Sequence, residues 1–275
     1  LDLGALGAAS YVRDLSGPQP RVLRGAIGVG LASGESAPLP VQGVAANIQQ
    51  DKLDLDAWEE VLAQASRPES SARPAAAPAS PSALAGPGAA QEYLPTTLAL
   101  RARTLTLQGR TWHNVVAGAL RDNTTWRANL NADELNGYLE YRQPGSPEYA
   151  SGRVYARLAR VSMPQSDVTQ VEALLDEQPG TLPALDIVVE DFELRGKHLG
   201  RVEIEAQNRG GEGSQREWRL SRFNILSPEA DLTASGNWSV LGAPGQGVRP
   251  VERRTVLHFK LDIRDSGDLL ARLGM

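Results

Sequence analysis

The segment Gly34–Pro38 comes closest to a nucleophile site in this chain, because it places Ser36 between Gly34 and residues that favour turns. A nucleophile elbow holds its serine on a sharp turn between a strand and a helix, and it ends in glycine. Here Pro38 stands where that glycine belongs, and no helical pattern follows. We therefore interpret the segment as a hairpin loop and predict no catalytic serine.

A second candidate for chemistry is the glycine pair Gly28 and Gly30, which begins like a dinucleotide-binding loop. That loop needs a third glycine and a helix whose N-terminus faces the pyrophosphate. Ser33 occupies the third position, and turn-forming residues follow it instead of a helix. The glycines are typical of a twisted strand, so no cofactor is predicted.

Carboxylates could bind a cation, and two sets of them lie close together in the sequence: Asp51, Asp54 and Asp56, and Asp262, Asp265 and Asp268. Neither set has the spacing, the glycine and the terminal glutamate of a calcium loop. Both lie at predicted helix starts, where aspartate caps free N–H groups. We expect caps and no metal site.

Histidine and cysteine contribute no further site. His113, His198 and His258 have no ligand spacing, and the first two follow predicted turns, so exposed positions are expected. The absence of cysteine excludes disulfides, zinc–thiolate sites and cysteine nucleophiles. No pair of carboxylates has independent support as an acid and base. The residues therefore predict a protein that is not an enzyme.

Composition and charge limit the classes of partner that the chain is expected to bind. The net charge is −5, and no cluster of five Lys or Arg residues occurs, so nucleic acid is not an expected partner. No window of about 18 apolar residues and no signal peptide are visible. We expect a segment of a longer protein, with any targeting signal outside it.

The elements that position the apolar residues are strands, and one strand pattern occurs twice, at 98–109 and 185–196. In each copy apolar residues alternate, the phase slips by one residue, and alternation resumes. Alternation predicts a strand with one buried face, and the slip predicts a β-bulge. Each copy ends in Leu-x-Gly and a basic residue, which indicates a turn. A repeated β unit favours an extended surface over a single pocket.

The rest of the chain is also mainly β. Strands are predicted at 21–31 and 39–50, joined by a turn, and at regular intervals after residue 94. Helical spacing predicts short helices at 54–65, 167–178 and 266–273. Residues rich in Ala, Pro and Ser suggest a linker. The predicted organisation is 1–65, a β segment ending in a helix; 66–93, a linker or mobile loop; and 94–275, repeated β structure.

Antiparallel strands with one apolar face must cover that face. A β-sandwich or barrel would cover it with the protein itself. A curved sheet could instead leave it partly open as a groove. Aromatic residues are only 5% of the chain, and an aliphatic lining suits acyl chains better than sugars or bases, which stack on aromatic rings.

The chain resembles the AsmA-like family in several motifs that follow one another in order. They are Leu182-Pro-x-Leu-Asp186, Phe192-x-Leu-x-Gly196, Trp218-Arg-Leu, Ala230-x-Leu232 with Gly236-x-Trp238, and the ending Asp265-x-Gly267-Asp-Leu-Leu. Leu53-Asp-Leu-Asp-Ala-Trp58 and Leu135-x-Gly137 add to this similarity. The resemblance covers residues 40–64 and 94–275, and the intervening Ala/Pro-rich stretch departs from the family pattern.

This resemblance implies a mainly β fold whose repeated antiparallel strands form a curved, U-shaped, groove-like sheet with a few short helices. It also implies a periplasmic location in a protein anchored in the inner membrane, phospholipid as the partner, and transport between inner and outer membranes through parts outside this segment. The family has no known catalytic residues. The candidate lining residues are Leu98, Leu100, Leu105, Leu107, Leu185, Ile187, Val189, Phe192, Leu194, Val202 and Ile204.

The residues before and after the phase slip can share one face only if a bulge restores the side. Two alternative functions also stay open. One is a structural or scaffolding module of the cell envelope that carries no lipid. The other is a carbohydrate-active or hydrolytic β protein, which would need a cleft with paired carboxylates.

Overall fold

The computed structural model describes residues 7–17, 20–31, 37–58, 90–145, 149–164, 182–209, 217–241 and 252–275. The chain divides into two compact units, Leu1–Arg121 (unit 1) and Asp122–Met275 (unit 2). Strands dominate the described part of both units, so the predicted mainly β fold class is confirmed.

Unit 1 contains a sheet whose strands are hydrogen-bonded in chain order. Its strands are β1 (Gly7–Asp14), β2 (Arg21–Val29), β3 (Gly43–Asp54), β4 (Thr97–Leu107) and β5 (Arg110–Asp122). Residues 55–58 are helical, and Ala90–Tyr93 form a short 3-10 turn.

Unit 2 also arranges its strands in chain order, from β6 to β13, without closing on itself in the described part. The strands are β6 (Thr125–Asn131), β7 (Leu135–Arg142), β8 (Arg153–Met163), β9 (Ala184–Leu194), β10 (Lys197–Arg209), β11 (Glu217–Leu226), β12 (Ala230–Leu241) and β13 (Glu252–Ile263). Helix α1 (Ser266–Leu273) follows the last strand.

Pairing is mixed, which differs from the predicted run of antiparallel strands. The pairs β2–β3, β3–β4 and β8–β9 are parallel. The connections inside these pairs are residues 30–42, 55–96 and 164–183. A parallel pair needs a crossover of a dozen or more residues, whereas an antiparallel pair closes with a tight turn. Connection length therefore accounts for the exceptions, including the 30–42 segment that was predicted as a turn.

The two Leu-x-Gly turns adopt the conformation that their sequence predicts. Gln108 and Gly109 have φ angles of 54° and 70°, and Arg195 and Gly196 have φ angles of 55° and 73°. Two successive positive φ angles are typical of a type I′ hairpin turn, whose twist matches the flanking strands. Each repeat therefore begins a hairpin, β4–β5 in unit 1 and β9–β10 in unit 2.

The predicted phase slip is present in both copies. In β4, Ala102 and Leu105 are both buried although they lie three residues apart, and Asn114 on the neighbouring strand has a φ angle of 52°. In unit 2 the register shifts between Gly200 and Val202, opposite β9. A bulge at this place restores the same side of the sheet to the residues that follow.

Helix caps also form where the aspartates predicted them. The carboxylate of Asp54 accepts a hydrogen bond from the N–H of Ala57, and Asp265 accepts one from Asp268 at 3.0 Å. Gly274 ends α1 with a φ angle of 75°, a left-handed conformation that glycine adopts without strain. The predicted helix at 167–178 lies outside the described residues, as does the linker at 66–93 except for residues 90–93.

Each unit has its own core. In unit 1 the buried residues are mostly alanines on neighbouring strands, such as Ala46, Ala102, Ala117 and Ala119. In unit 2, Val161, Val189 and Val202 form a buried cluster against which larger side chains pack: Leu135, Leu158, Met163, Ile187, Phe192, Ile204, Phe223 and Ile225.

Candidate functional site: the apolar face of unit 2

The strand register of unit 2 aligns apolar side chains in rows that run across the strands. Directly paired residues of neighbouring strands point to the same side of a sheet. Row 2 crosses all the strands from β6 to β13 and is apolar at every position. Its members are Ala128, Leu139, Ala156, Ile187, Ile204, Phe223, Ala234 and Phe259.

Two parallel rows flank row 2, each two residues away along the strands, or about 7 Å, except on β11, where an irregularity places Leu220 three residues from Phe223. Row 1 contains Trp126, Tyr141, Val154, Leu185, Ala206, Leu220, Gly236 and Leu257. Row 3 contains Leu130, Gly137, Leu158, Val189, Val202, Ile225, Leu232 and Leu261. The three rows together define the apolar face. Its only polar atoms are the ring groups of Trp126 and Tyr141.

The bulge extends this face beyond row 3. Phe192 follows the phase slip in β9 but packs on the same cluster as Val189, which precedes it. Val161 belongs to that cluster as well, and it pairs with Phe192. The residues on both sides of the slip therefore share one side in unit 2, the condition that sequence analysis left open.

The opposite side of the sheet is polar. Residues that alternate with the members of the three rows form a charged ladder in which Asp186 pairs with Arg157 at 2.8 Å and with Arg153 at 3.4 Å. Farther along, Glu203 pairs with Arg201 at 2.9 Å. These charges have partners and solvent access, so they mark the solvated side of the sheet.

Exposure rises steeply toward the last strand of the apolar face. Val202, in β10, is 4% exposed, whereas Leu261, in the same row on β13, is 50% exposed. Phe259, at the end of row 2, is 78% exposed, and Leu257 and Ile263 are 57% and 50% exposed. Row 3 is therefore buried at Val202 in the middle of the sheet, and all three rows end on β13 in accessible apolar side chains.

The end of the sheet beside the β11–β12 turn is held by helix α1. Arg272 forms two hydrogen bonds to Glu229, at 2.7 and 2.6 Å, and donates a third to the carbonyl of His198 at 3.1 Å. Its guanidinium lowers the pKa of the Glu229 carboxyl. Arg264 likewise lowers the pKa of Asp231, which accepts hydrogen bonds from it at 2.6 and 3.0 Å.

The candidate residues of the first repeat lie in unit 1. Leu98 pairs with Ala46 and Ala119, and Leu100 pairs with Ile48 and Ala117. Leu100 and Leu105 are 8% and 7% exposed, so both are packed in the interior, whereas Leu107 is 41% exposed. Alanine partners leave room for Leu98 and Leu100, whereas Leu105 pairs with the larger Leu53 and Trp112.

The structure thus divides the predicted lining residues between the two units. In unit 2 it brings together Leu185, Ile187, Val189, Phe192, Val202 and Ile204 on one face. Leu194 follows Phe192 on the same strand and pairs with Met163, a member of the same cluster.

Sequence reasoning missed several members of the apolar face, among them Leu158, Phe223, Ile225, Leu232, Phe259 and Leu261. Residues 257–263 have the same alternation as the repeats, and this was the available signal. It predicted a strand, but it could not place that strand beside the others.

The described residues contain no group of three or more His, Asp or Glu side chains that could hold a metal ion. His198 contacts Asp191 at 3.1 Å on an exposed surface. In the aspartate sets, Asp54 and Asp265 are helix caps, and Asp56 accepts hydrogen bonds from the N–H groups of Gln108 and Gly109. Asp51 and Asp262 form ion pairs with Arg103 and Lys260. None of the described helices is both long enough and apolar enough to cross a bilayer. The Gly34–Ser36 part of the serine candidate lies outside the described residues.

Of the comparisons with known proteins, the one with sequence families gives a match. Neither the curated proteins nor the solved structures include a match. The sequence model described as "YhdP protein" matches residues 1–275, which is the whole chain. The match agrees with the motifs of the repeats and with the mainly β fold, and it confirms the resemblance inferred from them. The chain belongs to the YhdP family.

Proposed function

We propose that this chain is a segment of a periplasmic lipid conduit that carries phospholipid acyl chains along an apolar β surface between the inner and outer membranes. Membership of the YhdP family is consistent with this role. Contacts with the two membranes would be made by parts of the protein outside this segment.

The observation that carries the proposal is the continuity of row 2. Every residue from Ala128 to Phe259 in that row is apolar, and most of the row is aliphatic. Moving an acyl chain of about sixteen carbons into water costs on the order of 12 kcal/mol, at ~0.8 kcal/mol per methylene. A continuous apolar row lowers that barrier along its length and needs no catalytic group.

The accessible end of the row offers the best place for a test. A photoreactive amino acid at Phe259 should crosslink to phospholipid, because this side chain belongs to row 2 and is 78% exposed. The same amino acid at Lys260 is the matched control, since Lys260 is exposed on the same strand but lies on the polar side. Adducts would be identified by mass spectrometry of protein purified from cells.

We expect a lipid adduct at position 259 and little or none at position 260. Equal labelling at both positions would indicate nonspecific contact. A complete lack of lipid at 259, with the protein folded, would favour a scaffolding module that carries no lipid.

A further inference from the structure

We propose that the polar side of unit 2 contains a docking surface for an acidic segment of a partner protein. This surface, the arginine–tyrosine ladder, belongs to β7, β8 and the connection between them. It consists of Arg142, Tyr149, Arg153, Tyr155 and Arg157. Its strand residues alternate with members of the apolar rows, so they lie on the opposite side of the sheet. The proposal is therefore independent of lipid transport.

The ladder is a continuous alternation of cations and aromatic rings. The guanidinium carbons of Arg142 and Arg153 each lie 5.4 Å from the centroid of the Tyr149 ring. Arg153 also lies 6.0 Å from the centroid of the Tyr155 ring, and Arg157 lies 4.1 Å from the same centroid. A guanidinium within about 6 Å of a ring centroid is attracted to the ring. The rings therefore hold three guanidinium groups in one continuous array.

The ladder has more positive charge than the described residues around it balance. Asp186 pairs with Arg157 at 2.8 Å and with Arg153 at 3.4 Å, so one carboxylate serves two guanidinium groups. Arg142 contacts the Tyr149 ring, and no carboxylate among the described residues pairs with it. Strands β6, β7 and β8 together contain five arginines, one glutamate and no lysine. An anionic partner would complement this excess.

Two of the arginines are also placed unfavourably toward each other. Arg142 and Arg153 stand directly opposite each other in the register of β7 and β8. Like charges at directly opposed positions destabilise a sheet. A carboxylate bound at this pair would offset the repulsion and accept charge-assisted hydrogen bonds, which are frequently bidentate between arginine and a carboxylate. The pairing therefore favours a carboxylate ligand.

The composition of the ladder favours a protein over an anionic membrane as the partner. Tyr and Arg are enriched at the energetically important positions of protein interfaces, whereas Lys is depleted there. The Tyr149 and Tyr155 side chains are half-buried and lie against guanidinium groups, so they are not free to insert into a bilayer. The side chains of Arg153 and Arg157 are 33% and 40% exposed, which leaves them accessible to a partner.

The spacing along β8 suggests how an acidic segment would lie. Arg153 and Arg157 are separated by four positions on one strand, which is about 13 Å in an extended chain. An extended peptide also directs alternate side chains to one side. A peptide with glutamate at every second residue would therefore present carboxylates at the spacing of the two arginines.

The test measures the affinity of the whole chain for a fluorescein-labelled peptide in which serine and glutamate alternate, by fluorescence anisotropy at low ionic strength. The same peptide with glutamine in place of glutamate is the control. We expect the glutamate peptide to bind about tenfold more tightly or better, the scale of one charge-assisted hydrogen bond. Equal affinity for the two peptides, or no binding of either, would overturn the proposal.

Arg157→Lys distinguishes the ladder from general charge attraction. Lysine keeps the charge, but it cannot lie flat on the Tyr155 ring or bind a carboxylate bidentately. The affinity for the glutamate peptide should fall about three- to tenfold in this variant and in Arg142→Gln. Arg219→Gln removes an exposed arginine on the same side of β11 and should bind like the wild type. Unchanged affinity in Arg157→Lys or Arg142→Gln, or an equal loss in Arg219→Gln, would contradict the assignment.

Two other occupants of the ladder are tested with the same variants. Cosedimentation of the chain with phosphatidylglycerol vesicles that is lost in Arg142→Gln would assign the ladder to a membrane surface. Dimerisation of the chain that is lost in Arg142→Gln, measured by analytical ultracentrifugation, would assign it to a second copy. Either result would overturn the acidic protein partner. A wild-type chain that binds the glutamate peptide, stays monomeric and does not bind the vesicles would support it.

Discussion

At the residue scale, strand position decides how much of an apolar side chain is accessible, and residue type does not. Val202 and Leu261 belong to one row, yet their exposed fractions are 4% and 50%. Val202 has neighbouring strands on both sides, whereas Leu261 lies on the last described strand of the row. Aliphatic residues of the same kind are therefore core in one strand and candidate binding surface in another.

The ion pair between Glu229 and Arg272 makes helix α1 sensitive to acid. Because the guanidinium lowers the pKa of Glu229 in the folded protein, the pair contributes stability above the ordinary carboxyl range. That contribution is lost as the pH falls through the lowered pKa. We expect the protection factors of residues 266–273, which are exchange rates corrected for the intrinsic pH dependence of amide exchange, to fall as the medium is acidified toward that value, measured by hydrogen exchange and mass spectrometry.

Arg272→Gln is the control for this prediction. It removes the cation, so α1 should exchange faster already at neutral pH, and its remaining pH dependence should be smaller. The pair of Asp231 and Arg264 stays in place in this variant. An identical acid response in wild type and Arg272→Gln would show that the Glu229 pair does not hold the helix.

At the scale of elements, the pairing of β12 with β13 depends on a glycine in row 1. A Cβ atom at Gly236 would collide with the backbone carbonyl of Val256 and would lie 2.9 Å from Leu257 Cδ2. We expect Gly236→Ala to lower the free energy of unfolding by about 1–3 kcal/mol, as overpacking does, and denaturant unfolding would measure it.

Gly118→Ala is the matched substitution in β5. A Cβ atom there meets nothing within 4 Å, so its effect should stay within about 1 kcal/mol and can be stabilising. If the two variants proved equally stable, the close contact between β12 and β13 would be wrong.

Some local sequence signals were sufficient to predict the structure of an element. The Leu-x-Gly turns and the Asp265 cap form as expected, because a turn or a cap is decided by a few neighbouring residues. The parallel pairs were missed, because alternation within a strand contains no information about the direction of its neighbour.

At the scale of the whole molecule, the core of unit 2 comes from its own strands, β7 to β11. Residues 122–275 should therefore fold alone and show one cooperative thermal transition, measured by calorimetry. Val202→Asp in the same fragment should abolish this transition, because it buries an unpaired charge at a position that is 4% exposed. A fragment without a cooperative transition would show that this core needs residues outside unit 2.

The predicted division at 1–65, 66–93 and 94–275 stays a prediction, and so does the role of the lining residues in lipid binding. Part of the predicted repeat is nevertheless present in both units. Each unit contains the same hairpin, with a phase slip before its turn. The family was accessible from motif order alone, because short β motifs that recur in a fixed order are more specific than any one of them.

The sequence by itself determined the period, the bulge, the turns and the caps, since these depend on side chains within a few residues of one another. It also determined the aliphatic character of the strands. Only the tertiary structure decided that Ile187, Ile204, Phe223 and Phe259 share one row, and that Ile204 in β10 is partly buried whereas Phe259 in β13 is 78% exposed. Register and burial are set by strands that are distant in sequence, and the free energy of their contacts belongs to the assembled sheet.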